Sequence, residues 1–373
     1  MNRVHGWLQQ LYDKRGSDLF VTAGLPPSLK IDGVIGPIED ERLTPEETRD
    51  LVASLMNSHQ REEFDNTREC QFAVALNDDA RFRVSAFYQQ GQAGIVCRLI
   101  ETRIPNLEEL GMPPILRDLA MEKRGIIFFV GATGTGKSTS LAAMVGLRNR
   151  SMTGHIITIE DPIEFVHKHA KSMITQREVG VDTESFDVAL KNTLRQAPDV
   201  ILIGEIRTRE SMQHALTFAE TGHLCLCTLH ANNANQAMDR ILHFFPEDER
   251  DQVLLDLSFN LKAIIAQQLL PSVDGGRRWA AVEVLVNTPL VQQKIRQGDI
   301  HELKDIMKRS GHLGMITFDE CLFKMYKADH ISYENGLRYA DSKNEFRLMV
   351  KLDKGGSTEE LAKTLEGVGL IED

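Results

Sequence analysis

The sequence predicts a large α/β domain that follows a smaller α+β domain, and three observations support this fold class. A glycine-rich turn separates a short apolar run, residues 125–130, from a helix-favouring segment over residues 138–147. Beyond this turn, short apolar runs alternate with helical stretches, which is the pattern of a sheet with parallel strands. The first hundred residues instead contain segments in which apolar and polar residues alternate, which is typical of antiparallel strands. A chain of 373 residues is long enough for both domains.

The smaller domain is predicted over residues 1–100. Its expected elements are a helix at residues 4–14, strands at 16–21, 70–76, 82–87 and 94–100, and a helix that begins after Thr44. Thr44, Pro45 and Glu47 have the spacing of a capping box with proline at the first helical position, which fixes that helix start. Asn77-Asp78-Asp79 is expected to form the turn between two antiparallel strands.

The larger domain is predicted over residues 115–350, after a proline-containing linker at residues 101–114. Its expected strands lie at residues 126–130, 155–159, 200–203 and 224–228. Apolar residues recur at helical spacing from about Glu247, so we expect a helical region from there to Leu270. Residues 351–373 form a charged, glycine-interrupted tail that is expected to be mobile.

The composition is that of a soluble globular protein, with 42% hydrophobic and 26% charged residues. A net charge of −11 argues against a surface that wraps nucleic acid, and no apolar run approaches the ~20 residues of a membrane span. The first residues lack the apolar core of a signal peptide, so the expected compartment is the cytoplasm. The five cysteines show no Cys-x-x-Cys spacing, and Cys225 and Cys227 are expected to be buried on one side of a strand.

A glycine-rich loop between a strand and a helix carries the clearest chemical signal. Its residues are Gly131-Ala132-Thr133-Gly134-Thr135-Gly136-Lys137-Ser138, followed by Thr139. A loop of this pattern directs several backbone N–H groups at one point, where the helix dipole adds positive potential. We therefore predict that it binds ATP, with Lys137 on the β- and γ-phosphates and the Ser138 hydroxyl on Mg²⁺.

Two acidic segments follow strands of the same domain. Glu160, Asp161 and Glu164 come after the second predicted strand, and we expect Glu164 to orient the attacking water with the other two in support. A solvated acidic turn is the alternative for this segment. Glu205 follows the third predicted strand and is expected to hold Mg²⁺ through water, or to replace Glu164 as the base. Gly204 occupies the position before it, where an aspartate is usual.

Two histidines flank the fourth predicted strand. His230, at the carboxyl end, is a better candidate than His223 for sensing the γ-phosphate, although a histidine beside a strand usually has a structural role.

Arginines are the candidates to supply positive charge to the transition state of hydrolysis. Arg81 and Arg83 share one face of a strand in the smaller domain and are the favoured pair to act on a neighbouring subunit. The other candidates are Arg98, Arg195, Arg207 and Arg240.

The four motif segments, in this order and spacing, resemble the Walker A, Asp box, Walker B and His box of the secretion ATPase superfamily. The resemblance covers roughly residues 1–340. It implies a PAS-like N-terminal domain, a RecA-like ATPase domain and assembly into a hexamer. The pair Gly204-Glu205 is similar to the atypical Walker B of that superfamily.

Within the superfamily, the chain is similar to the type IV pilus retraction ATPases of the PilT/PilU family. Its opening residues, 13–19, resemble that group, and residues 270–277 lack the cysteines that pilus assembly and type II secretion ATPases commonly use for zinc. Those ATPases are the alternative identification. Leu290 follows Thr288-Pro289 where the PilT kind carries an Ala-Ile-Arg motif, which favours the PilU-like branch. Thr208 stands where many relatives carry aspartate.

The resemblance implies an ATP-hydrolysing motor that drives pilus disassembly and twitching motility, as an accessory to a PilT-like partner. It also implies an inner-membrane platform protein as a partner and the cytoplasmic base of the pilus machine as the location. From the residues alone two other classes stay open. One is a small-molecule or nucleotide kinase, for which no arginine-rich lid is evident, and the other is a nucleotide-binding scaffold that hardly hydrolyses.

Overall fold

Two separate β-sheets organise the chain, one with six strands and one with seven. The computed structural model describes residues 3–77, 80–100 and 103–353. The chain divides into two units, each with its own hydrophobic core. The first unit runs to Ile104 and also takes in Pro162–Val166 and Gly180–Asp182, and the second unit comprises the rest.

The first unit is an antiparallel sheet packed against helices. Its elements are α1 (Arg3–Asp13), β1 (Asp18–Thr22), β2 (Ser28–Ile31), β3 (Val34–Pro37), α2 (Pro45–Ser54), α3 (Ser58–Thr67), β4 (Glu69–Ala75), β5 (Arg81–Gln89) and β6 (Gln92–Ile100). The strand order is β3-β2-β1-β6-β5-β4, and every neighbouring pair is antiparallel. Helix α1 buries Val4, Trp7, Leu8 and Leu11, which lie on one face at helical spacing.

Most of the predicted elements of the first unit are confirmed. The helix and strand ends differ from the predictions by one or two residues, and the capping box is present, with the Glu47 N–H donating to Thr44 Oγ1 at 3.2 Å. Strands β2 and β3 and helix α3 were not predicted from the sequence. Asp78 and Asp79 of the expected turn lie outside the described residues.

The second unit is a mostly parallel sheet with helices in the connections. Its elements are α4 (Ile115–Ala120), β7 (Gly125–Val130), α5 (Lys137–Ser151), β8 (Gly154–Glu160), β9 (Ser172–Glu178), α6 (Phe186–Thr193), β10 (Val200–Ile203), α7 (Arg209–Glu220), β11 (Leu224–Leu229), α8 (Ala234–His243), α9 (Arg250–Asn260), β12 (Leu261–Pro271), β13 (Arg278–Val286), α10 (Pro289–Gln297), α11 (Leu303–Arg309), α12 (Phe318–Lys327), α13 (Tyr333–Tyr339) and α14 (Lys343–Asp353). The strand order is β13-β12-β7-β11-β10-β8-β9, and only the β12–β13 pair is antiparallel. The four strands expected in this part of the chain are confirmed.

The expectation of a helical region up to Leu270 is wrong beyond Asn260. Helix α9 ends there, and β12 runs beside β7 in the middle of the core. Residues 263–267 of β12 are all buried, so the segment has no alternation that would identify it as a strand. Strands β9 and β13 were also not predicted. Residues 354–373 of the expected tail, with Glu101 and Thr102 of the expected linker, lie outside the described residues.

No helix in the described part of the chain combines the length and the apolar character that crossing a membrane requires. All five cysteines are buried, and Cys225 Sγ lies 3.4 Å from Cys227 Sγ on β11, so the expectation that this pair shares a buried face is confirmed.

Glu283 on β13 is a buried carboxylate that binds the first turns of two helices. Its Oε1 accepts a hydrogen bond of 2.8 Å from the N–H of Ala234, the first residue of α8. The N–H of Phe318, the first residue of α12, also donates to this carboxylate. Burial raises the pKa of Glu283 to about 7, against the opposing effect of the Ala234 bond, while Asp341 raises it and Lys304 lowers it.

Glu283→Gln should flatten the pH dependence of stability. The folded-state pKa of Glu283, about 7, lies above its ordinary value of 4.5, so the folded protein binds this proton more tightly than the unfolded chain. The corresponding stability is fully present below pH 4.5 and is lost as the pH rises through 7, by about 3 kcal/mol. Glutamine keeps an oxygen acceptor for the Ala234 N–H without this titration.

Urea unfolding between pH 4.5 and 8, followed by Trp279 fluorescence in a Trp7→Phe background, measures this difference. The exposed Glu334→Gln is the matched control, and it should follow the parent protein at every pH. Parallel pH curves for Glu283→Gln and the parent would refute the assignment.

Candidate phosphate-binding site

The glycine-rich loop lies between a fully buried strand and a helix, as the sequence predicts. All six residues of β7 are buried, and α5 begins at Lys137 after Gly136, whose φ is +85°. A Cβ at Gly131 would lie 2.5 Å from Gln267 O, and a Cβ at Gly136 would lie 2.8 Å from Gln267 Nε2. Both positions therefore require glycine, because β12 approaches the loop too closely for a side chain.

Lys137 folds back into the loop that precedes it. Its Nζ donates hydrogen bonds of 2.8 Å to Gly131 O and to Ala132 O. Thr135 Oγ1 donates to Ala132 O at 2.9 Å, while Ala132, Thr133 and Gly134 are exposed. The turn at the amino end of α5 is accessible to a ligand from solvent and lies at the positive end of the helix dipole. Both properties suit the binding of a phosphate group.

The order of the parallel strands aligns the other motif residues beside this loop. Strand β11 pairs with β7, β10 with β11, and β8 with β10. The carboxyl ends of parallel strands face the same edge of a sheet, where ligands of open α/β sheets bind. His230 follows β11, Glu205 lies two residues after β10, and Glu160 ends β8, so all three lie on the edge that carries the loop.

Glu205 is the centre of the contacts on this edge. His230 Nε2 donates to Glu205 Oε1 at 2.9 Å, and Arg207 Nη2 lies 2.7 Å from Glu205 Oε2. The hydrogen bond with Glu205 raises the pKa of the Arg207 guanidinium. Arg207 Nη1 also lies 4.0 Å from Asp161 Oδ2. These contacts join the segments that follow β8, β10 and β11.

Gly204 is required by the close approach of β8 and β10. Its N–H donates to Ile159 O at 2.8 Å. A Cβ at position 204 would lie 3.0 Å from Ile159 O and 3.1 Å from Glu160 Cα, which are backbone atoms of a central strand. A side chain at this position would press on the backbone of β8, which would have to shift by a few tenths of an ångström.

Glu160 and Glu164 have different surroundings. Glu160 Oε1 accepts hydrogen bonds from Thr158 Oγ1 at 2.7 Å and from Gln176 Nε2 at 3.1 Å, so it joins β8 to β9. Glu164 belongs to the first unit, where its Oε1 lies 3.7 Å from Arg83 Nη2. The predicted base and one predicted arginine are therefore neighbours within one chain.

His223 is placed apart from the other motif residues. It precedes β11, and its Nδ1 lies 3.1 Å from both Phe218 O and Thr221 Oγ1. The six residues of β11 separate it from His230 by about 20 Å of strand rise. Within one chain, His223 lies at the opposite edge of the sheet from the loop.

The arginines of the first unit form a row on one sheet face. Arg83 is directly opposite Arg98 on the neighbouring strand, and Arg81 lies two residues from Arg83 on β5. Arg98 Nε donates to Oδ1 of the buried Asp18 at 2.8 Å, which fixes its guanidinium. In the second unit, Arg240 lies over the Phe244 ring at 5.3 Å and so has a packing role.

Thr208, at the position to which the family resemblance assigns an aspartate, is the N-cap of α7. Its side chain accepts a hydrogen bond of 3.2 Å from the N–H of Ser211. Threonine and aspartate both stabilise this position through a side-chain oxygen, so the local structure tolerates the difference.

Oxygen donors around the loop suit magnesium better than a softer metal. The Ser138 hydroxyl lies in the first turn of α5, and Glu205 supplies a carboxylate on the same edge. Among residues 3–77, 80–100 and 103–353, no three histidines, cysteines or acids are arranged to hold a metal ion by themselves. Such a donor set matches Mg²⁺, which usually takes one or two protein ligands together with phosphate and water.

Comparison with known proteins identifies the family to which this arrangement belongs. The sequence profile described as "Type II/IV secretion system protein" matches residues 4–317. The chain is 58% identical to the type IV pilus ATPase PilU of Pseudomonas aeruginosa, over 97% of this chain and 95% of that protein. It is 40% identical to the PilT retraction ATPase of the same organism, over 88% of this chain and 96% of that protein.

The fold agrees with these sequence relationships. The structure matches the crystal structure of the pilus retraction motor PilT with bound ADP at a TM-score of 0.86 and 38% identity, over 92% of this chain and 98% of that chain. The resemblance to the PilT/PilU group is therefore confirmed.

Gly204→Ala should destabilise the protein, because the methyl group would press on the backbone of β8. We expect the unfolding free energy to fall by about 1–3 kcal/mol, as for other overpacked cores. Denaturant unfolding measures this loss. Gly311→Ala is the matched control, since a Cβ there meets no heavy atom within 4 Å. If both variants unfold at the same denaturant concentration, the steric account of Gly204 is wrong.

Proposed function

Because the chain belongs to the type II/IV secretion system protein family, and within it to the PilT/PilU group, we propose that it is an ATP-hydrolysing motor for type IV pilus retraction. The identity of 58% with PilU supports the PilU-like branch and an accessory role beside a PilT-like motor. In this proposal the second unit is the RecA-like ATPase domain of residues 115–350, and the first is the PAS-like domain of residues 1–100.

One observation supports the proposal most strongly. The phosphate-type loop and the hydrogen-bonded pair of Glu205 and His230, 2.9 Å apart, share the carboxyl edge of one parallel sheet. A scaffold that only binds nucleotide needs the loop but not a carboxylate and a histidine held together beside it. The ADP in the related PilT structure supports nucleotide binding by the same fold.

ATP would bind with its phosphates against the backbone N–H groups of residues 131–139. Lys137 would exchange Gly131 O and Ala132 O for the β- and γ-phosphate oxygens, since an ammonium group prefers a charged acceptor. Ser138 and Glu205 would hold Mg²⁺, which neutralises charge on the phosphates when bound. His230 would report the state of the γ-phosphate to Glu205 through their hydrogen bond.

Glu164 is the proposed residue that orients the attacking water, with Glu160 and Asp161 in support. Its carboxylate lies 3.7 Å from the Arg83 guanidinium, which would hold it in place. Arg81 and Arg83 would act on the nucleotide of a neighbouring subunit. His223, at the other edge of the sheet, would then serve an interface rather than the phosphates of its own chain.

The proposed assembly is a homo-hexamer at the cytoplasmic side of the inner membrane. Its partners would be a PilT-like motor and the membrane platform protein of the pilus machine, on which hydrolysis would act to remove pilin subunits. The names of the relatives, PilU and PilT, favour this proposal over pilus assembly or type II secretion.

Lys137→Ala should abolish ATP hydrolysis, because it removes the ammonium group that would bind the β- and γ-phosphates. We expect phosphate release to fall by about a hundredfold or more. The measurement is phosphate release with the PilT-like partner absent and present. The exposed Lys123→Ala is the matched control and should retain activity. Normal turnover by Lys137→Ala would disprove the assignment of the loop.

Glu164→Gln should separate binding from chemistry. The variant should bind ATP as tightly as the parent while its turnover falls by about a hundredfold, since glutamine cannot accept the proton of water. Equilibrium binding of a fluorescent ATP analogue and phosphate release measure the two quantities. The exposed Glu184→Gln should change neither. Undiminished turnover in Glu164→Gln would transfer the role of base to Glu205.

A further inference from the structure

Gln267 on β12 is a buried polar residue that binds the phosphate loop and the helix after it. It is 2% exposed. Its Nε2 donates a hydrogen bond of 2.9 Å to Thr135 O, and its Oε1 accepts one of 2.8 Å from Ser140 Oγ. The Thr135 carbonyl can only accept, so this contact fixes which end of the amide carries the nitrogen.

The backbone of the loop also packs closely against Gln267. Gly131 and Gly136, the two loop glycines at which a Cβ would clash, both lie against Gln267. Gly131 lies against its backbone carbonyl oxygen, and Gly136 lies against its side-chain nitrogen. The loop therefore contacts Gln267 at its first glycine, at Thr135 and at its last glycine. No other residue outside the loop has this set of contacts among those that the structure describes.

The hydrogen bond to Thr135 also determines where the next amide points. In a planar trans peptide, the C=O of one residue and the N–H of the next point in opposite directions. When Thr135 O faces the Gln267 side chain, the N–H of Gly136 faces away from that side chain. An N–H that does not bond to the sheet at a helix start can donate to an anion.

We propose that Gln267 is a positioning residue for nucleotide binding, which acts through the Thr135 carbonyl and the Ser140 hydroxyl rather than by touching the phosphates. The proposal rests on the proposed function, because it assigns the loop to a nucleotide. Lys137 must leave its loop carbonyls to reach phosphate, whereas Gln267 keeps both of its bonds. Gln267 is then the side chain that holds the loop to the sheet while Lys137 binds phosphate.

Gln267→Met tests this assignment, because methionine has a similar volume and neither hydrogen bond. The first measurement is hydrogen exchange of residues 132–139 in the full-length protein without nucleotide, which we expect to be about tenfold faster in the variant. The second is the affinity for ADP, which we expect to be about tenfold weaker, with a raised KM for ATP and a smaller change in kcat. Gln268→Met, at the next position of the strand, makes the same chemical change on the other face and should alter neither.

Gln267→Glu and Ser140→Ala refine the result. Glutamate still accepts from Ser140 but cannot donate to Thr135 when ionised, so Gln267→Glu should weaken ADP binding at least as much as Gln267→Met. Ser140→Ala removes one of the two bonds and should have the smaller effect. Combining it with Gln267→Met should add little, because both changes remove the same contact.

Unchanged loop exchange and unchanged ADP affinity in Gln267→Met would overturn the proposal, and so would a lower melting temperature as its only effect. The failure of the proposed function gives a different result. A parent protein that binds no ADP contradicts that function, while the exchange of residues 132–139 still decides whether Gln267 positions the loop.

Discussion

The parallel hydrogen-bonded register of β7, β11, β10 and β8 is the constraint on which the rest of the structure depends. Each of these strands has a candidate site residue at its carboxyl end or within two residues after it, and parallel pairing brings those ends to one edge. Side chains that are far apart in sequence thereby become neighbours, as Glu205 and His230 show. The close spacing of β8 and β10 also leaves little room for a side chain at position 204.

The ribbon formed by β12 and β13 connects this edge to the C-terminal helices. Gln267 on β12 binds the phosphate loop, and Glu283 on β13 binds the first residues of α8 and α12. Glu283 pairs with Ala266 across the ribbon, one position before Gln267, so the two residues belong to opposite faces. The ribbon therefore contacts both the loop and the first residue of the helix that follows His230.

The sequence predicts those site residues whose position follows from the strand directly before them. The loop, Glu205 and His230 each follow an apolar run that forms a strand, so their position at the carboxyl edge could be inferred without a structure. Gln267 could not be found, because the buried run around it lacks alternation and its segment was expected to be helical. The need for Gly204 and the contact of Arg83 with Glu164 depend on spacing between distant segments. Single-sequence patterns do not encode such spacing.

The central claim is that the loop and the Glu205–His230 pair serve one nucleotide. A crystal structure with a non-hydrolysable ATP analogue and Mn²⁺, which anomalous scattering locates, tests it most directly. The account predicts phosphate oxygens within hydrogen-bonding distance of the N–H groups of residues 134–138, and the metal between those phosphates and the edge that carries Glu205. An analogue bound elsewhere, or a metal on the opposite edge of the sheet, would contradict it.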